Sequence, residues 1–189
     1  MPAFLLINNR MEHSILKAKA WQVFLVLLAS YFISWFVKET DVSELLKLVG
    51  FSIFCIWLAL IGNTMNQLDK TQEKPGVGWF ILNVVVTMSA PLASKVLSDP
   101  DFVVTPTSFN AKGSWVIPAL YVVVAYVQIH WFVASSIVAR EQGQKPEFSQ
   151  VLGTAILLFL WPIGVWFIQP RLNRIFNTIQ ADTLDYPLA

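Results

Sequence analysis

Five apolar runs, each near the length that crosses a bilayer and each almost free of charge, divide the chain. Hydropathy over windows of about 19 residues places them at 20–38, 45–66, 77–97, 114–138 and 151–169. The hydrocarbon core of a membrane is about 30 Å thick, so a helix of roughly 20 apolar residues spans it, whereas a barrel strand needs about 10 and alternates. No water satisfies the backbone inside a bilayer, which leaves only helices or closed barrels. Continuous runs of this length select helices. The overall make-up agrees: 56% of residues are apolar and 13% charged, where a soluble domain carries roughly a quarter charged. The expected fold is an all-α integral membrane protein, a bundle of about five transmembrane helices over residues 20–170. A basic or interfacial segment, 1–19, precedes it, and 171–189 follow as a short amphipathic interfacial helix and tail.

The first run, AWQVFLVLLASYFISWFV, starts far from the N-terminus and lacks a small-residue cleavage site, so it reads as a retained span rather than a signal peptide. The connections KETDVSE, DKTQEKPG, SDPDFVVTPTSFNAKG and AREQGQKPEFSQ are short and polar, and none is a separate soluble domain. No internal repeat is visible, nor the inverted-repeat pattern of many transporters.

Lipid tails are as apolar as leucine, so helices in a bilayer associate through close packing and polar contacts. Small and weakly polar residues at helical spacing therefore mark the faces turned toward other helices. Ser30 and Ser34 do so in the first run, and Ser52, Cys55, Ala59, Asn63 and Asn66 in the second. Asn83, Thr87, Ala90 and Ser94 do so in the third.

The fourth run is the most polar. At 100° per residue, Tyr121, Ala125, Gln128 and Ser135 share one side, while Tyr126, His130 and Val133 lie on the other. A helix polar on both sides needs neighbours on both, which puts it in the middle of the bundle. Tyr121, Tyr126, Gln128, His130, Asn83 and Asn63 form the candidate intramembrane polar site. His130 is the ionisable residue lying deep in a span, and such residues are functional candidates. Its alternative role is a neutral imidazole bonded to a neighbouring helix, since without a carboxylate partner it makes a poor proton relay.

The motifs of soluble enzymes are missing: no HExxH, no GxSxG, no P-loop and no Gly-rich dinucleotide turn. Two histidines, His13 and His130, and the single Cys55 are too scattered for a metal set. The expectation is no enzyme, no catalytic residues, no metal and no cofactor. Basic residues occur in ones and twos and form no stripe for nucleic acid.

The last run ends as FLWPIGVWFIQPRLNRIF. Pro162 removes a backbone donor and clashes with the preceding turn, which predicts a bend near Leu158, and Gly164 admits a close neighbour there. Trp166 suits the headgroup boundary. Pro170 disfavours helical geometry at Gln169 and starts a new helix, whose apolar face is Leu172, Ile175, Phe176 and Ile179. Arg171 and Arg174 would then anchor it near lipid phosphates.

This tail, with IGNTMNQ at 61–67, resembles small uncharacterised multipass membrane proteins of Bacteroidetes-type bacteria. Their last helix ends in a similar PIG[VI]WxxQP[RK]xN pattern, matched here by Pro162, Ile163, Gly164, Val165, Trp166, Gln169, Pro170, Arg171 and Asn173. The resemblance implies a bacterial inner membrane and no particular activity. The functional expectation is a non-enzymatic accessory subunit, scaffold or membrane effector, with the lipid bilayer and a membrane protein or second copy as partners. The alternative is a small channel or transporter component with a polar path near Tyr126, Gln128 and His130. Arg10, Lys17 and Lys19 ahead of the first run outnumber Lys38 and Lys47 after it, which favours a cytoplasmic N-terminus. Five crossings would put residue 189 on the opposite side.

Overall fold

The computed structural model describes residues 17–38, 40–68, 76–106 and 108–184, so the segment 1–19 lies outside it except for its last three residues. The elements are α1 (Ala20–Phe36), α2 (Thr40–Leu68), α3 (Val77–Leu97), β1 (Phe102–Val104), β2 (Phe109–Ala111), α4 (Val116–Gln142), α5 (Phe148–Phe159) and α6 (Trp161–Leu184). Three of the helices, α2, α3 and α4, are long and apolar enough to cross a membrane. With 17 residues, α1 is about 25 Å long, shorter than the run to residue 38 suggested.

The polar stripes turn inward. Ser30 and Ser34 are buried on α1, and Asn83, Thr87, Ala90 and Ser94 on α3. Where α2 meets α3, a Cβ on Gly62 would lie 2.6 Å from the Phe80 ring, so this glycine sets how closely the two helices approach. We call the end where α1 begins and α4 ends the base, and the opposite end the crown. At the crown Ser43 Oγ donates to the Ser34 carbonyl (3.1 Å), and Lys95 pairs with Glu44 (3.3 Å). The connection SDPDFVVTPTSFNAKG, read as short and polar, carries the antiparallel pair β1–β2, with Val103 opposite Asn110. Ser94 Oγ fastens it to α3, donating to the Phe102 carbonyl (3.0 Å) and accepting from the Val104 N–H (2.9 Å).

The fifth run, 151–169, is not one helix. The helical path stops at Leu160 (φ −88°, ψ 49°), two residues past the predicted bend, because Pro162 has no N–H to give to the turn before it. A new helix then starts, with the Ile163 and Gly164 N–H groups on the Leu160 carbonyl. Arg171 Nη1 donates to Thr154 Oγ1 at 2.9 Å, although 17 residues of straight helix would hold the pair about 25 Å apart. The two helices therefore fold back on each other as a hairpin with its tip at Leu160. Gly164 permits the turn, since a Cβ there would run into the Leu157 carbonyl. With 12 residues α5 is about 18 Å long, well short of the 30 Å or so of a hydrocarbon core.

The returning arm runs antiparallel to α1. Trp161 lies against Tyr31 (ring centroids 6.0 Å apart), Trp166 against Phe24 (5.6 Å), and Gln169 Nε2 donates to the Ala18 carbonyl (3.1 Å). The expected restart at Pro170 does not occur, for α6 continues through it. Packing overrides local preference there: Ile168 and Leu172 on either side are fully buried. The separate interfacial helix is thereby corrected. Leu172, Ile175 and Phe176 belong to the same apolar core as Val23 and Leu27, because the hairpin brings them back to the base of α1. The Lys17 ammonium covers the Phe176 ring at 5.0 Å.

Candidate functional site

The six residues expected to form one polar site are divided by α4 into two groups. On the α3 side, Tyr121 donates to Asn83 Oδ1 (3.0 Å), and Asn83 Nδ2 donates to Gln128 Oε1 (2.8 Å). The same oxygen accepts from Trp79 Nε1 (3.2 Å), a partner the sequence did not flag. Asn83 is fully buried, whereas Tyr121, Gln128 and Trp79 lie on the outer surface. This chain of bonds satisfies an amide that would otherwise face lipid alone. Asn63 is half-buried on α2.

On the other side of α4, His130 is completely buried. Its Nδ1 lies 2.7 Å from the Tyr126 carbonyl, which can only accept, so Nδ1 carries the proton and Nε2 the lone pair. No partner among the described residues reaches Nε2. Phe159 stacks on the imidazole (4.1 Å, 11°), with Tyr126 edge-on at 4.4 Å and Phe54 at 5.8 Å. The ring is thus walled in by aromatic carbon, and Phe159 at the hairpin tip supplies the closest wall.

The residues expected to anchor the tail have different surroundings. Trp166 is half exposed beside Phe24, and Arg174 is exposed. Arg171 forms a bidentate ion pair with Glu141 at the end of α4, with side chains 25% and 28% exposed, and also holds Thr154. One guanidinium therefore joins α4, α5 and α6 at the base. Fork geometry makes such a pair stronger than a single ammonium contact.

Above the hairpin tip is a chamber of about 420 Å³. Tyr31, Phe51, Phe54, Tyr126 and Trp161 form its aromatic walls, Thr87 and Pro91 one side, and Val104, Thr105, Pro106, Ser108 and Phe109 of the crown its cover. Thr87 is 2% exposed, and its hydroxyl has no partner among the described residues. Neither the Tyr31 nor the Tyr126 hydroxyl is hydrogen-bonded among those residues either. A polar group left so in apolar surroundings costs about 1–3 kcal/mol, which an incoming acceptor would relieve. Sequence reasoning placed Thr87 on an inward stripe but missed the chamber, since that requires knowing where the hairpin stops. A second cavity, about 430 Å³, lies at the crown surface around Glu44, Lys47, Lys95 and Asp99 and shares Pro91 and Val104 with the first. Among the described residues no three His, Cys, Asp or Glu side chains gather into a possible metal set.

No protein-family model, no curated protein and no solved structure matches the chain.

Proposed function

We propose that this is a non-enzymatic protein of a bacterial inner membrane, with α1 to α4 crossing the bilayer and α5–α6 dipping in from the base as a re-entrant hairpin. It serves as an accessory subunit or scaffold, and both ends of the chain face the cytoplasm. Charge supports this reading most directly. With the hairpin returning to the base, the described Lys17, Lys19, Arg140, Lys145, Arg171 and Arg174 belong to that side, and four crossings would assign Arg10, Lys70 and Lys74 to it as well. Only Lys38, Lys47, Lys95 and Lys112 of the 13 basic residues belong to the crown. Five crossings would leave the two sides nearly balanced, whereas cytoplasmic sides carry an excess of Lys and Arg.

The channel or transporter alternative has less in its favour. Gln128 faces outward through its bonds to Trp79 and Asn83, while Tyr126 and His130 face inward, so the three do not line one path.

Labelling of single cysteines tests the topology in a Cys55→Ala background. A membrane-impermeant maleimide applied to intact inner-membrane spheroplasts should label Ser98→Cys at the crown. Thr178→Cys near the base should react only after permeabilisation. Labelling of both from outside would make the fifth run a true span.

A further inference from the structure

We propose that the chamber above the hairpin tip binds the flat, carbonyl-bearing head of a membrane-soluble compound of the quinone class. The inference rests on the chain being embedded in a bilayer as proposed above.

The origin of the space comes first. At the base, α6 packs on α1 and α5 packs on α4, so the hairpin fills the gap between those two helices. The tip stops at Leu160 and Trp161, level with Tyr31 and Tyr126, and nothing of the hairpin continues toward the crown. The chamber is the unfilled upper part of the same gap. Exposed Val123 and Phe109 stand on its rim, on the outer surface of the bundle. A ligand therefore arrives sideways from the hydrocarbon, and its tail remains among the lipids.

Its head is chosen by the lining. About 420 Å³ falls within the roughly 300–1,000 Å³ of small-molecule sites. Aromatic faces at Phe51, Phe54 and Trp161 favour a planar conjugated ring. The Tyr31 and Tyr126 hydroxyls offer protons to an acceptor inside the chamber, and the Thr87 hydroxyl, buried just beneath the lining without a partner among the described residues, offers a third once a small side-chain shift uncovers it. Among the described residues no cationic or carboxylate side chain lines this space, so a charged head has none of them to pair with. A ring with carbonyl oxygens at its edges meets these conditions: neutral, flat and accepting. Thr87 and Tyr126 lie about ten residues, or about 15 Å, below the crown ends of α3 and α4, and Tyr31 lies five residues below the crown end of α1. Ester groups of ordinary phospholipids sit at the edge of the hydrocarbon core, so that depth suits a head that itself dissolves in hydrocarbon.

The test uses the purified full-length protein in nanodiscs of zwitterionic lipid, titrated with a decyl-substituted benzoquinone while tryptophan fluorescence is followed. Quenching should saturate above the linear background from quinone dissolved in lipid. Trp161→Phe should remove most of the saturable part. Thr87→Val, which keeps the shape and loses the hydroxyl, should raise the Kd about fivefold, the worth of one hydrogen bond. Tyr31→Phe should weaken binding similarly, which guards against a folding defect in the α3 variant. Decylbenzene, which has the ring and tail without carbonyls, should compete poorly. Purely linear quenching, or equal competition by decylbenzene, would overturn the proposal. Neither result depends on the cysteine labelling pattern, so failure of the ligand and failure of the topology are told apart.

Discussion

Base and crown are built from the same four helices but are closed in different ways. At the base the hairpin supplies both bulk and a charged clamp. Ile61, Met65, Ile137, Ile168 and Leu172 are all fully buried, and Arg171 ties α6 to α5 and to the end of α4 through Thr154 and Glu141. The crown has no such insert. It is covered by a two-stranded ribbon held by Ser94 and by Trp115, which donates to Asp99 Oδ2 (2.9 Å) and stacks on Phe102 (4.7 Å). A gap between α1 and α4 that is filled at one end and hollow at the other teaches that the depth of one hairpin decides where this gap has room for a guest.

The contrast can be broken most severely at Gly164. Gly164→Ala places a methyl group against the Leu157 carbonyl, and the hairpin must open or shift. The expected cost is at the upper end of roughly 1–3 kcal/mol, since backbone cannot yield as a side chain does. Thermal melting in detergent should fall steeply; an unchanged melting temperature would mean that the arms are not folded so tightly. Next comes the clamp. Glu141→Gln should cost about 1.5–3 kcal/mol, the range for hydrogen bonds to charged groups, discounted toward its lower end for partial exposure. Exchanging the charges, Glu141→Arg with Arg171→Glu, should recover part of the loss, and no recovery would argue against direct pairing.

At the crown the effects should be smaller and local. Ser94→Ala removes two bonds to β1 and should cost about 1 kcal/mol for each at most. Hydrogen exchange at the Val104 amide should accelerate while the base amides keep their protection. Spread of the acceleration to Ile168 or Leu172 would show that the ends are not independent. Smallest of all, Tyr121→Phe deletes one bond on the outer surface, at about 0.6 kcal/mol on average for membrane hydrogen bonds. A loss several times larger would mean that the Asn83–Gln128 pair depends on it.

Helices α2, α3 and α4 were readable because each apolar run carries a single periodicity from end to end. The inward stripe Asn83, Thr87, Ala90 and Ser94 was readable for the same reason. The two polar sides of α4 likewise follow from angle alone, which is why Tyr121 and His130 do not meet. The fifth run was misread because hydropathy counts residues and ignores direction. A mostly apolar run of 19 residues scores alike whether it goes across or goes in and comes back, and only the Pro162 and Gly164 pair marked the difference. The tail was misread for a related reason. Leu172, Ile175 and Phe176 make an apolar face under either arrangement, and periodicity cannot say whether lipid or protein covers it. Arg171 looked like a phosphate anchor because its partners, Glu141 and Thr154, are 30 and 17 residues away.

The bond from Gln169 to the Ala18 carbonyl spans 151 positions. During synthesis at about 5–20 residues per second, roughly 8–30 seconds separate the appearance of these two groups. For that interval α1 stands in place with one flank bare of its eventual neighbour, and α2 to α4 must take their positions around the vacancy. The earliest of the described helices is the one whose surroundings are completed last.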